Sequence, residues 1–423
     1  MSGRDENSED LPVSDYAPVT RRALLAGAAV AAGGVLLEKL PFGAQGTPPA
    51  AAQPDPSTVP GLGTTPTSAR SPFEAPARTP AGIITGPAYS PIQDFAGTIT
   101  PNDLLFERHH GGVAMIDPRR YKLLVHGLVD RAMIFTLDDL KRFPSVSRVH
   151  FLECSGNGRN AYRDAKPEFT PQMVDGLTSN GEWTGVPLAV VLREVGVRKS
   201  ASWFLAEGGD ASKLSRSIPI EKAWDDALLA YAFNGEALRP ANGYPVRLFL
   251  PGYEANTCVK WLRRIKLIDQ PNMSRDETAK YTDPLPNDTA RQFSFVMDAK
   301  SVITRPAAPT RIARGWHEIT GLAWSGRGKI TRVDVSTDGG ATWTPAELQE
   351  PILSKAHTRF RSMWEWTGAP AVLMSRAVDE TGAAQPTRAA FVAARGRGTD
   401  FHFNHIRAWT VSRDGDVRFG VDL

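Results

Sequence analysis

The central part of this sequence reads as short alternating segments. In YKLLVHGLVD, Tyr121, Leu123 and Val125 alternate with Lys122, Leu124 and His126, the period of a half-buried strand. TLDDLKRF places Thr136 and Asp139 three residues apart and stops at Pro144, which predicts a short capped helix. VSRVHFLE returns to strand and delivers Cys154 to a turn. PLAVVLREVG predicts a helix opened by Pro187 and closed by Gly196. ALLAYAFNGEAL holds Asn234 and Gly235 between apolar runs, a hairpin signal, and YPVRLFLPG continues as strand. The regular alternation of a doubly wound sheet is missing, so 96–290 reads as a mixed α/β domain of the α+β class.

After DPLPND the texture changes to short strands with turns. KITRVDVSTDGGATW points Val333 and Val335 inward and turns at Asp338, Gly339 and Gly340. SMWEW, AVLMSRAVDETG and AAFVAA repeat that pattern at spacings that predict an immunoglobulin-like β-sandwich over 297–396. The aromatic, His-bearing stretch 397–423 is expected to pack back on a domain surface. Residues 46–95 are rich in Pro, Ala, Thr and Ser and read as an extended linker. In 1–45, Arg21 and Arg22 precede an uncharged Ala- and Gly-rich run to Leu37, the layout of a twin-arginine export signal. That route carries folded proteins to the periplasm, often with a cofactor already inserted.

A net charge of +3 over 423 residues is close to balance, and no basic tract interleaves with aromatics, so nucleic acid is not expected as a partner. Two cysteines, Cys154 and Cys258, leave three readings of the thiol open: a disulfide between them, a catalytic nucleophile, or a metal thiolate supplemented by a cofactor. His109 and His110 are adjacent, which on a strand points them to opposite faces; as unrelated histidines they would carry no site.

HFLECSGNGRN, residues 150–160, resembles the active-site segment of the sulfite oxidase family, in which a Cys-x-Gly-Asn-x-Arg turn supplies the one protein ligand to molybdenum. DLLFERHHGG, LAYAFNGEALRPANGYPVRLFLPGY, CVKWLRRIKL and GLAWSGRGKITRVDVSTDGGATW extend the resemblance in order along the folded chain. FERHHGG and ECSGNG look most like the sulfane dehydrogenase branch of sulfur oxidation. The resemblance implies a sulfite oxidase fold with a molybdenum–molybdopterin cofactor and Cys154 as its thiolate. It further implies that His110, Asp210, Arg247, Lys260 and Trp261 hold the pterin and its phosphate. Arg108, Arg159 and Tyr281 would face the sulfur substrate, while a third family arginine has only Arg359 and Arg361 as nearby candidates. Gly158 and Asn242 depart from the animal pattern, and Gly158 would widen the mouth if it lay at the entrance.

The implied reaction is oxygen transfer to sulfur, either a sulfane sulfur on a carrier protein or sulfite. No haem-attachment motif is present on this chain, so electrons would pass to a c-type cytochrome subunit. The assembly would be a homodimer through the sandwich, or a heterotetramer with the cytochrome. The rivals are a dehydrogenase of free sulfite with the same fold, a methionine sulfoxide reductase lacking the sandwich, and a disulfide-bonded periplasmic binding module without metal.

Overall fold

The computed structural model describes Thr58, 60–61, 63–285 and 288–420; the arginine-pair leader lies outside the described residues. The first half, in chain order, has strands β1 (Gly86–Ala88), β2 (Glu107–His109), β3 (Leu123–Gly127), β4 (Met133–Phe135), β5 (Val146–Glu153) and β6 (Thr178–Pro187). They are followed by β7 (Trp203–Gly208), β8 (Ser215–Pro219), β9 (Leu228–Phe233), β10 (Glu236–Ala237), β11 (Arg247–Phe249) and β12 (Leu262–Ile268). Helices α1 (Leu137–Arg142), α2 (Arg159–Arg163), α3 (Pro171–Asp175), α4 (Leu188–Val195) and α5 (Ile220–Asp225) connect them. Two five-stranded sheets result. One runs β10-β9-β6-β5 with β11 also on β9; the other runs β4-β3-β12-β7-β8, where β3 and β12 are parallel.

Local chemistry explains the elements that the sequence signalled. Thr136 and Asp139 close a reciprocal capping box on α1. α4 starts after Pro187 and ends at left-handed Gly196. Asn234 and Gly235 take φ of 47° and 80°, the turn that lets β9 and β10 pair. Trp183, fully buried on β6, stacks on Phe249 at 4.3 Å, packs against the tilted ring of Phe233 at 4.5 Å and knits the first sheet's core.

A two-residue ladder, β13 (Asp283–Pro284) with β14 (Ala290–Arg291), leads into the sandwich. There β15 (Lys300–Arg305), β16 (Thr310–Arg311), β17 (Gly315–Trp324), β18 (Ile330–Ser336), β19 (Thr344–Pro345) and β20 (Glu347–Gln349) are followed by β21 (Thr358–Trp366), β22 (Ala371–Asp379), helix α6 (Arg388–Arg395), β23 (Ala408–Val411) and β24 (Asp416–Phe419). The two facing sheets are β15-β17-β21-β20 and β16-β24-β23-β22-β18-β19.

Three expectations change. AAFVAA is helix, not strand: Thr387 Oγ1 caps Ala390 N–H, and an Ala-rich run needs to bury only Phe391 and Arg395. The stretch from 397 is not a surface appendage, because it supplies β23 and β24 to the middle of a sandwich sheet. The linker is taken up into the compact unit from Arg70, where Arg78 bonds the Leu105 carbonyl at 3.0 Å and β1 pairs with β2.

Residues 70–423 form one compact unit. The seam is polar and buried. Glu153, at the end of β5, accepts from Lys300 Nζ at 2.7 Å and from Trp324 Nε1 at 2.7 Å, while Asp175 meets Lys300 at 3.4 Å and Arg407 at 3.1 Å. Two carboxylates and two cations thus neutralise each other away from water.

His357 sits in the same seam, its Nε2 on Thr178 Oγ1 at 2.9 Å and its ring between Phe151 and Trp324. Burial drives its pKa from 6.5 to about 3, and burial drives His150 to about 4. Between those values and 6.5 the unfolded chain binds protons that the folded one refuses. Stability is therefore whole above about pH 6.5 and falls as pH drops through that window. The thermal midpoint of purified protein should fall by several degrees between about pH 7.5 and pH 5. His357→Gln should flatten the fall, and an unchanged slope in that variant would count against His357.

Candidate active site

β5 ends at Cys154, and the turn after it is pinned on both sides. Cys154 N–H donates to the Leu177 carbonyl at 3.0 Å, and Asn157 N–H donates back to the Cys154 carbonyl at 2.9 Å. The Asn157 side chain accepts from Leu177 N–H and donates to Glu153, each at 2.9 Å. The thiol is thereby held at the edge of a cavity.

Of the nine residues singled out from the sequence, eight line this cavity: Cys154, Arg108, His110, Asp210, Arg247, Lys260, Trp261 and Tyr281. β11 contributes Arg247, which bonds the carbonyls of Cys258 and Asn242. Lys260 donates to the carbonyls of Arg108 and Ala241 and lies 4.3 Å above the Trp261 ring. Their backbones come close at Gly243, whose φ is +112° and where a Cβ would stand 3.1 Å from Lys260 Cβ and 3.2 Å from Arg247 Cβ. Trp261 itself holds a φ of 51°, unusual for a bulky side chain, and anchors its indole N–H on the Pro240 carbonyl.

Arg159 does not line the cavity, although its charge still reaches the Cys154 thiol. Its guanidinium donates to the Asp400 carbonyl at 2.6 and 3.1 Å and lies 5.2 Å from the Phe401 ring. Arg359 bonds the carbonyls of Phe95 and Gly97, and Arg361 pairs with Glu347, so neither candidate for a third arginine reaches the cavity.

Gly158 does not open the mouth. Its φ is +91°, and a Cβ there would collide with Arg407 and stand 3.0 Å from Asp175 and 3.1 Å from Phe403. Gly158→Ala should therefore cost roughly 1–3 kcal/mol in denaturant unfolding, whereas a residue at an open rim would tolerate the methyl.

Burial first, then Arg108 and Lys280, depresses His110 to about 4, while burial raises the Tyr281 hydroxyl. Both are neutral at pH 7 and share one hydrogen bond of 2.8 Å. Burial also raises the Cys154 thiol, opposed by the Gly156 N–H and the charges of Arg108 and Arg159. The bare sulfur keeps its proton at neutral pH, and a bound metal ion would displace it. The two cysteines are both free, Cys258 being buried with its sulfur on Leu250 N–H, so the disulfide reading is set aside.

Sequence reasoning missed two contributors. His109, read as one of two unrelated histidines, takes Lys260 Nζ on Nδ1 at 2.8 Å and stacks near Trp261. Arg216, fully buried on β8, lies 4.9 Å from the Tyr281 ring and pairs with Glu254. The pairing of FERHH with CVKW could have flagged His109. Arg216, in a short strand far from either motif, left no signal.

The chemistry of the donor set fits a molybdopterin. Among the described residues, no group of three or more His, Cys, Asp or Glu side chains could hold a metal alone. Arg108, Arg247 and Lys260 face one cavity, and among the described residues none of them makes an ion pair. Burial pulls Arg247 down to about 10 and, with Arg247, pulls Lys260 well below the lysine range. Positive charge without a direct carboxylate partner suits a phosphate, and the Cys154 thiol beside it suits a metal whose remaining ligands come from a cofactor.

Comparison with known proteins agrees. Residues 110–275 match the oxidoreductase molybdopterin binding domain, and 291–408 match the Mo-co oxidoreductase dimerisation domain. The mitochondrial sulfite oxidase of Rattus norvegicus is 34% identical over 287 residues, covering 63% of this chain and 52% of that protein. The sulfite oxidase of Gallus gallus is 31% identical over 313 residues, 68% of each. The chain thus spans about half the length of the mitochondrial relatives. The sulfane dehydrogenase SoxCD from Paracoccus pantotrophus has a chain that superimposes with a TM-score of 0.83 at 43% identity, covering 89% of this chain and 100% of that one.

Proposed function

We propose, because this chain belongs to the sulfite oxidase family of molybdopterin oxidoreductases, that it oxidises sulfur with molybdenum and that its substrate is a sulfane sulfur carried on a protein. The observation that carries the reading is the Cys154 thiol beside a cavity where Arg108, Arg247 and Lys260 lack ion-pair partners among the described residues. The choice of substrate rests on likeness: 43% identity over a whole sulfane dehydrogenase chain, against 31% and 34% over parts of the two sulfite oxidases.

When bound, the molybdenum cofactor supplies a two-electron acceptor and an oxygen exchangeable with water. The chain's own residues do the rest. Cys154 would ligate the metal on a turn that cannot swing. Arg247 and Lys260 would neutralise the phosphate, with Asp210 and Trp261 closing on the pterin. Arg108 offers positive charge to an oxidised sulfur group as it gains oxyanion character. The neutral pair of His110 and Tyr281 lines the same wall without adding a charge that would hold an anionic product. Electrons would leave singly to a c-type cytochrome, and the protein would work in the periplasm after folded export, paired through its sandwich.

Elemental analysis of protein made in a cofactor-competent host should give about one molybdenum per chain. Steady-state assays should then show faster turnover with a carrier protein bearing a persulfide than with sulfite. The reverse preference would select the free-sulfite dehydrogenase, and absence of molybdenum would sink the proposal.

A further inference from the structure

One imidazole separates the cavity from a second hollow. His109 lines the cavity on one side and, on the other, a hollow at the surface beneath residues 76–83, lined also by Arg78, Ile83 and Glu107. An unbroken polar chain runs through it. Lys260 Nζ meets His109 Nδ1 at 2.8 Å, His109 Nε2 meets Glu107 Oε2 at 2.8 Å, and Arg78 holds the other carboxylate oxygen. With Lys260 as an ammonium donor, Nδ1 accepts and the ring proton is assigned to Nε2, facing the carboxylate. Side-chain exposure rises outward along this chain, from 4% at His109 to 18% at Glu107 and 26% at Arg78.

We infer that Lys260, His109 and Glu107 conduct protons out of the cofactor cavity, with His109 positioning both neighbours. The inference rests on the oxidation proposed above. Transfer of water's oxygen to sulfur forms an S–O bond and releases two protons and two electrons, the electrons going to the cofactor and then to a one-electron carrier. For each proton, a Lys260 N–H bond breaks as His109 Nδ1 gains the proton, and Nε2 passes its own to the Glu107 carboxylate. Glu107 releases it to water in the outer hollow, and Lys260 takes the next proton from the cavity. Rotation of the imidazole resets the relay.

The groups facing Lys260 suit that duty. Burial, Arg247 and Arg108 loosen its proton, while Glu107, Asp210 and the phosphate that Lys260 would neutralise in the loaded enzyme oppose them. At Glu107, burial works to raise the pKa, but His109 and Arg78 outweigh it, so the carboxylate rests ionised and readily gives up to the outer hollow any proton it takes.

The test uses the loaded enzyme without a sulfur substrate. Wild type and variants, reduced with limiting dithionite in weak buffer, are reoxidised with ferricyanide while an indicator dye follows proton release. His109→Gln keeps an acceptor for Lys260 and a donor for Glu107 but cannot pass a proton. It should retain full molybdenum and release protons roughly 10²-fold more slowly, as expected for loss of a positioned acid–base group. Glu107→Gln should be slowed similarly, and imidazole in solution should restore the rate of His109→Ala. Unchanged proton release in molybdenum-replete His109→Gln overturns the inference. Loss of molybdenum from that variant overturns it too, by making His109 only a holding residue. Wild type lacking molybdenum would instead sink the proposed oxidation, and the outlet with it.

Discussion

Lys300→Met protein should unfold in distinctly less denaturant than wild type, a loss of roughly 3–5 kcal/mol. Lys300 Nζ lies 2.7 Å from Glu153 and 3.4 Å from Asp175, and all three side chains are at most 2% exposed. Methionine fills the volume and still packs on Trp324, so packing changes little. What changes is charge: two buried carboxylates would face Arg407 alone, with Glu153 keeping only Asn157 and Trp324 as donors. Removing one partner of a buried network leaves the desolvation cost of the others unmet. Adding Glu153→Gln should return part of the loss, since an amide tolerates burial better than an unpaired carboxylate. A single-variant loss below about 1 kcal/mol would place these groups among exposed pairs of little worth.

Cys154→Ser should be folded, close to wild type in stability and nearly free of molybdenum. The side chain is only partly buried, and serine preserves the backbone bonds of the turn to Leu177 and Asn157. A serine hydroxyl keeps its proton at neutral pH and does not replace a thiolate ligand. Loss of outer partners alone costs metal sites about 10–100-fold, so loss of the one protein ligand should exceed that in metal retention and in turnover. Cys258→Ala is the control. Cys258 also lines the cavity, but its sulfur is engaged by Leu250 N–H, so this variant should keep its metal. Equal molybdenum in Cys154→Ser and wild type would remove Cys154 from the site.

The sequence disclosed what depends on near neighbours. The capping box at Thr136, the Asn234-Gly235 hairpin and the strand ending at Cys154 are local, and each forms where its pattern places it. The cavity residues were legible through family motifs, because Arg108, Cys154, Arg247 and Lys260 sit in stretches whose order is itself a signature. What stayed hidden depends on contacts between distant stretches. Gly158 read as an entrance residue because nothing near it in sequence says that Arg407, some 250 positions later, fills the space a Cβ would need. AAFVAA read as strand because its surroundings were strands, while its one buried aromatic, Phe391, asked only for a helical face. Arg159 was legible as a charge close to the thiol, but the carbonyl of residue 400 that holds its guanidinium was not.

The return of the chain after α6 sets an order of events. Asp400 holds Arg159, His402 N–H donates to the Ser155 carbonyl at 2.7 Å, Phe401 packs 5.3 Å from Tyr281, and Arg407 meets Asp175. The sandwich strands that fix this segment, β23 and β24, end at Phe419. While a ribosome is still making residue 390, the thiol turn exists but the wall behind it does not. Capture of the cofactor therefore belongs after β24 has been made, and a message cut short past residue 396 would yield a protein with every cavity-lining residue present and no finished place for the cofactor to stay.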